Sequence, residues 1–287
     1  MALPTFFVIG AAKSGTTSLH HYLSQHPEIQ MSANKEPNFF SGPENGYPYV
    51  PPRVSRLDEY ESLFDPAFAV RGEASPGYTN HPRRQGVPER IKALVPDAKL
   101  IYLVRDPVAR TVSHYQDSVA IGKQRRSLHE ALGDLSDPCL PLVCHSRYAV
   151  QLELYLRHFP QEQIMVIDQA DLLAERRAIL RAVFSFLSVD PDFDCAQFDE
   201  ELYRSERRRV YSTEHRRLVE RVGAPILRPL PSGMRRSLRR VTEALLLPEL
   251  KKPTLDAELR ARLEDFYAEE VGRLRALTGM AFATWSI

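Results

Sequence analysis

A chain of 287 residues with 43% hydrophobic and 26% charged residues lies near globular averages and is long enough for one large domain, which excludes disordered, collagen-like and low-complexity classes. Its 38 Lys and Arg against 37 Asp and Glu leave a net charge of +1, which argues against binding nucleic acid by bulk charge. That balance hides one excess: residues 201–240 hold twelve Arg, no Lys and four Glu, so this stretch carries +8 and the remainder −7.

Thr5 to Gly10 is a β-branched and aromatic run stopped by Gly, the pattern of a fully buried strand. From Thr17 the residues Leu19, Tyr22 and Leu23 recur at helical spacing until Pro27 restricts His26. Residues 41–60, with Gly42, Pro43, Gly46, Pro48, Pro51 and Pro52, read as a long surface loop. Ala69 to Glu73 and Lys99 to Val104 predict two further strands. Asp106 then serves as N-cap, with Pro107 at the first helical position and Val108, Val112, Tyr115 and Val119 as a core-facing stripe. Tyr148, Leu152, Tyr155 and Phe159 mark another helix, Ile164 to Ile167 a fourth strand, and Leu172 through Leu187 one amphipathic helix. Beyond Pro191 no further strand is expected. The tail closes as a helix with Thr254 as N-cap and Leu255, Leu259, Leu263, Phe266, Leu274 and Leu277 as its apolar stripe.

Strands that alternate with helices imply right-handed βαβ crossovers. The expected fold is therefore α/β: a single P-loop-like domain with a central, mostly parallel sheet flanked by helices on both faces. One domain over 1–287 is expected, with a core of about 1–190 and a helical, Arg-rich extension of about 191–287. Cys139, Cys144 and Cys195 are too few for a disulfide scaffold and are not spaced as metal ligands, so they fit a cytoplasmic chain without a metal. Met1 to Ala12 lacks a basic residue before its apolar run, and no segment reaches the roughly 18 apolar residues of a membrane span, so a soluble, uncleaved chain is expected.

Gly10 to Thr17 lies between a strand and a helix, where successive backbone N–H groups and a helix N-terminus form an anion cradle. Set against the nucleotide-triphosphate pattern GxxxxGK(S/T), both glycines and Thr17 fit, but Thr16 holds the lysine position and the cation has moved to Lys13. The plainer alternative is a tight turn with a solvated lysine.

Ala12-Lys13-Ser14-Gly15-Thr16-Thr17 resembles the 5′-phosphosulfate loop of sulfotransferases that depend on 3′-phosphoadenosine 5′-phosphosulfate (PAPS). Three more segments follow in order: Lys35-Glu36-Pro37-Asn38-Phe39-Phe40, Gly72-Glu73-Ala74-Ser75-Pro76-Gly77-Tyr78, and Arg105-Asp106-Pro107 with Arg110, Ser113 and Tyr115 behind it. Together they are similar to the branch that contains the heparan sulfate N- and 3-O-sulfotransferases and their bacterial relatives. Two departures stand out. Ala74 occupies a position where the animal enzymes have Lys, and their late Lys-Gly-Arg loop is absent, with Arg204 to Arg209 a candidate to replace it.

The resemblance implies PAPS as cofactor, adenosine 3′,5′-bisphosphate as product, and no metal. PAPS presents two anionic ends, so its site needs two anion pockets. Lys13, Ser14, Gly15, Thr16 and Thr17 supply the first; Arg105, at a strand end, and Ser113, seven residues or nearly two helical turns past Asp106, supply the second. Lys13 is assigned to the departing oxygen. Glu73, at a strand end near the carboxyl edge of the sheet, is the expected general base, with a structural pair to Arg71 or Lys35 as the alternative. His114, His20 and His21 are rival bases. The resemblance sets Lys35 near the transferred group. Phe39, Phe40 and Tyr78 are candidate acceptor or adenine contacts, or simply core, and Arg207, Arg208 and Arg209 a lid, an acceptor patch or a solvated face. The acceptor is a small molecule, a glycan or a lipid. A P-loop kinase and a non-catalytic nucleotide-binding protein are the competing readings.

Overall fold

A computed structural model describes residues 2–42, 54–200 and 253–287. Five strands form one sheet in the order β2-β3-β1-β4-β5, and every described pair is parallel. The strands are β1 Phe6–Gly10, β2 Ile29–Met31, β3 Val70–Ala74, β4 Lys99–Val104 and β5 Ile164–Asp168. From β1 the sheet grows first toward β3 on one side and then toward β4 on the other. This reversal opens a crevice at the carboxyl ends of the central strands, where open α/β sheets bind ligands.

Alternate side chains of each strand feed two separate cores. Phe7, Ile9, Leu100, Tyr102 and Val104 pack with Ile91 of α3 (Val87–Leu94), Val108 and Tyr115 of α4 (Pro107–Ala120), and Tyr148 and Leu152 of α7 (Tyr148–Leu156). The C-terminal helix α10 (Ala257–Thr278) adds Leu259, Leu263, Tyr267, Val271 and Leu274 to that same layer. On the other face Phe6, Val8, Ile101, Leu103 and Ile167 meet α1 (Thr16–Leu23), α8 (Gln169–Ala174) and α9 (Arg176–Leu187). Three shorter helices lie among the described residues as well: α2 Leu57–Glu61, α5 Leu128–Ala131 and α6 Pro141–Cys144.

Two elements go beyond the expectation, and two expectations need correction. The edge strand β2 is only three residues long, too short to show alternation. Helix α3 follows a left-handed Gly86 and carries Pro88 in its first turn, start signals that the sequence reading passed over. The single helix expected up to Leu187 is two, because Asp168 caps α8 at Ala170 N and the chain breaks helical geometry at Glu175. Finally, α10 is capped by Asp256, whose carboxylate accepts from Leu259 N at 2.9 Å, and not by Thr254. Asp106 does cap α4, accepting from Ala109 N at 2.7 Å. Part of the expected 41–60 loop and all of the Arg-rich run, with Arg207, Arg208 and Arg209, lie outside the described residues. No helix among the described residues is long and apolar enough to cross a membrane.

Candidate active site

The loop from β1 to α1 is shaped by its backbone. Gly10 lies so close to Thr79 and Tyr102 that a Cβ would fall 1.9 Å from Thr79 Oγ1. Gly15, at φ 94°, takes the left-handed conformation that begins α1, and Lys13 also has positive φ, 74°. No side chain caps α1, so the N–H groups of Thr16 and Thr17 are left for a ligand, while Ser18 N donates to Gly15 O at 3.0 Å; all three residues line the cleft.

Two arginines brace the loop from below. Arg105 Nη1 donates to Lys13 O at 3.4 Å, and Arg110 Nη1 to Ala12 O at 3.4 Å. Arg110 is completely buried and also bonds Ser146 Oγ and Leu142 O, so its charge is held beneath the anion cradle. Burial lowers the pKa of Arg105, but a guanidinium keeps its proton. Asp106 makes no ion pair with Arg105; its second oxygen accepts from Ser286 N at 2.6 Å.

One cleft of about 1050 Å³ is bordered by Lys13, Gly15, Thr16, Thr17, Lys35, Glu36, Arg105 and Ser113, among others. Seven of the expected site residues therefore border one cleft: Lys13, Gly15, Thr16, Thr17, Lys35, Arg105 and Ser113. Lys13 Nζ contacts Asp117 Oδ1 at 2.9 Å, with the lysine side chain 18% exposed. Lys35 Nζ donates to Thr17 Oγ1 at 2.6 Å and to Glu36 Oε1 at 3.1 Å, so a single ammonium group separates the loop from Glu36. Ser14 is different: its side chain is buried and does not border the cleft, although its backbone stays in the loop and donates to Ala11 O at 3.1 Å.

Glu73 does not border this cleft. Its backbone pairs with Phe7 across β1 and β3, and residues side by side on neighbouring strands point to the same face, so its side chain enters the layer that holds Phe7. There it is 0% exposed. Burial pushes its carboxyl up to about 7, opposed by the hydroxyls of Tyr78, Tyr60 and Ser75. Tyr60 OH donates to Oε2 at 2.9 Å, whereas Oε1 lacks a well-aligned partner; Tyr78 and Ser75 therefore act on it as close dipoles rather than through tight bonds. The alternative pairing with Arg71 or Lys35 is not formed either, since Arg71 turns to Leu3 O and Phe68 O.

Phe40 and Tyr78 are buried core residues, and Phe39 stacks on Tyr60 at 4.3 Å; none of the three borders the cleft. The rival histidines fare no better. Burial and then Arg110 push His114 down to about 3, burial and then Lys35 push His20 down to about 4, and neither they nor His21 face the cleft.

Several cleft residues had no role in the sequence reading. Glu36 stood inside a quoted motif. Asp117 follows Ser113 by four residues on α4, a spacing that signals a shared helical face. His145 also borders the cleft, with Nδ1 donating to Thr79 O at 3.0 Å; burial and Arg110 hold it well below its ordinary pKa, so it stays neutral. Asn38, Asn80, Arg84 and Gln169 add polar groups to the rim, and Tyr22, Leu172 and Leu173 add apolar ones.

A family described as sulfotransferase domain matches residues 3–275. A bifunctional heparan sulfate N-deacetylase/N-sulfotransferase of Drosophila melanogaster is 30% identical over 224 residues, 67% of this chain and 20% of that protein. The heparan sulfate glucosamine 3-O-sulfotransferase 3B1 of Homo sapiens is 25% identical over 288 residues, 98% of this chain and 64% of that protein. The chain thus spans between a fifth and two thirds of the length of these curated relatives. Among solved structures, a sulfotransferase from Alicyclobacillus acidocaldarius superposes with a TM-score of 0.73 at 27% identity, covering 100% of both chains. The strand order, the loop after β1 and the match over nearly the whole length agree: this chain belongs to the sulfotransferase domain family.

Proposed function

We propose that this chain moves the sulfonate of PAPS in line to a hydroxyl or amine of a small-molecule, glycan or lipid acceptor and releases adenosine 3′,5′-bisphosphate. The observation that carries the reading is the convergence of Lys13, Lys35, Glu36, Arg105 and Ser113 on one cleft at the switch point of the sheet. These residues fit a doubly anionic cofactor, because the uncapped start of α1 and the Arg105–Ser113 pair are two donor sets on one cavity.

Bound PAPS supplies a sulfonate already attached to a phosphate leaving group. The N–H groups at the start of α1 hold its 5′ end, and Arg105 with Ser113 holds its 3′-phosphate. Lys13 turns from Asp117 to meet the charge that develops on the bridging oxygen. Lys35, already fixed to Thr17, steadies the transferred group. A general base has to reach the acceptor, which Glu73 cannot do from inside the core, so Glu36 takes the role expected of Glu73. The polar side chains Lys35, Arg84, Asn38 and Asn80 on the rim can bond the hydroxyls of an acceptor, beside an apolar stretch at Leu172 and Leu173. A cytoplasmic location remains part of the proposal.

The test is Glu36→Gln. The variant is expected to bind adenosine 3′,5′-bisphosphate as the wild type does by calorimetry and to lose about 10²–10⁴ in turnover, the range for removal of a positioned proton acceptor. Turnover above a few tenths of the wild-type rate would rule Glu36 out as the base.

A further inference from the structure

We propose that Glu73 is a positioning residue: acting through the hydroxyls of Tyr60, Tyr78 and Ser75, its buried carboxyl fixes the strip from Lys35 to Phe40 and thereby sets Lys35 and Glu36 on the cleft rim. The inference deepens the reading in which Glu36 is the base and rests on it.

The strip is held at every second backbone N–H. Glu36 N donates to Ala74 O, Asn38 N to Ser75 Oγ and Phe40 N to Tyr78 OH, each at 3.2 Å. Between them Glu36 and Asn38 adopt positive φ, 60° and 56°. Non-glycine residues occupy that region only when their surroundings over-determine it. The ring of Phe39 lies flat on Tyr60, 4.3 Å away with 7° between the planes. Lys35 Nζ on Thr17, Arg90 Nε on Phe40 O and the ring of Phe40 against Phe7 also hold the strip, but these three backbone N–H bonds all run to the β3 strand and the turn after it.

Two of its three anchors are hydroxyls, and this is where Glu73 enters. A hydroxyl oxygen that accepts from a backbone N–H still has its own proton to place. Tyr78 and Ser75 both act on the Glu73 carboxyl, and Tyr60, which carries Phe39, donates to it at 2.9 Å. The carboxyl offers these hydroxyls acceptor oxygens: Oε2 takes the proton of Tyr60, and Oε1, which has no hydrogen bond of its own, is the acceptor left for Tyr78 and Ser75, whose oxygens then face the strip. A glutamine of the same shape brings N–H donors toward Tyr60, whose hydroxyl already donates there, and toward the nearby hydroxyls of Tyr78 and Ser75. The hydroxyls must then turn, and the N–H bonds of Asn38 and Phe40 are the ones they give up.

The experiment compares Glu73→Gln, Tyr78→Phe, the double variant and Glu73→Asp by site-resolved amide hydrogen exchange, by calorimetry with adenosine 3′,5′-bisphosphate, and by turnover of PAPS on an acceptor that the wild type sulfates. Glu73→Gln and Tyr78→Phe are each expected to speed exchange of the Asn38 and Phe40 amides at least tenfold. They should leave nucleotide affinity within twofold and lower kcat about tenfold. The double variant should be no worse than either single one, and Glu73→Asp, which keeps the acceptor, should recover part of the loss. Unchanged exchange in the strip, or faster exchange spread evenly over the core helices, overturns the proposal, because Glu73 then only stabilises the fold. A 10²–10⁴ loss in Glu73→Gln with the strip unchanged also overturns it and makes Glu73 the base. If the strip loosens as expected while Glu36→Gln keeps wild-type turnover, the positioning role stands and the assignment of Glu36 falls. Tyr78→Phe keeps the question open to measurement should Glu73→Gln fold poorly.

Discussion

Glu73 combines full burial with a carboxyl pushed up to about 7, and this combination has a thermodynamic signature. In the unfolded chain the carboxyl releases its proton near its ordinary value of 4.5, whereas the folded protein holds the proton up to about 7. The folded state thus binds more protons across that window, and stability falls as pH rises through it. The contribution is fully present below about 4.5 and gone above about 7, with a size of ~3 kcal/mol for a shift of this order. Glu73→Gln should lack this slope, so denaturant titrations of wild type and variant should diverge by about that amount between the two limits. Parallel stability curves would mean that the carboxyl is not buried as described. The protein thus keeps an acid in its core at a cost to stability near neutral pH, as expected of a group held for its effect on its neighbours.

At the scale of elements, α4 does most to connect the fold with the site. One side of it carries Val108 and Tyr115 into the core, while Arg110 and Ser113, with Asp117 four residues further on, lie along the loop and the cleft. Its start depends on Asp106, which accepts from Ala109 N and, near the end of the chain, from Ser286 N. Asp106→Ala is expected to cost about 1–2 kcal/mol, the upper range for a lost N-cap, and to weaken adenosine 3′,5′-bisphosphate several-fold as Arg105 and Ser113 lose their common support. Denaturation and calorimetry check both; wild-type values in each would detach the cap from the site. The same scale shows what a sequence can convey. The strands β1, β4 and β5 and the cap of α4 were legible because long apolar runs and Asp-Pro signals are local. The three residues of β2 and the break at Glu175 were not, since both are settled by neighbours in space. The two carboxylates were the harder case. Glu36 and Glu73 both follow or end elements near the carboxyl edge, and only the register of β3 against β1, with Glu73 beside Phe7, sends one inward and leaves the other on the rim.

For the whole molecule, the parallel sheet and its reversal at β1 bring Lys13, Lys35 and Arg105 to one cleft. The central claim is that the chain transfers sulfonate from PAPS by this means. The most direct test is mass spectrometry of a panel of sugars, glycolipids, lipids, phenols and amines incubated with PAPS in the presence of EDTA, with wild type and Lys13→Ala in parallel. The account predicts addition of one sulfonate to at least one hydroxylated acceptor by the wild type and loss of that product in Lys13→Ala. The variant should lose roughly 3–4 kcal/mol of transition-state stabilisation, by comparison with a lost oxyanion donor. A wild type that binds adenosine 3′,5′-bisphosphate yet sulfates nothing, or activity that vanishes in EDTA and returns with magnesium, would contradict it.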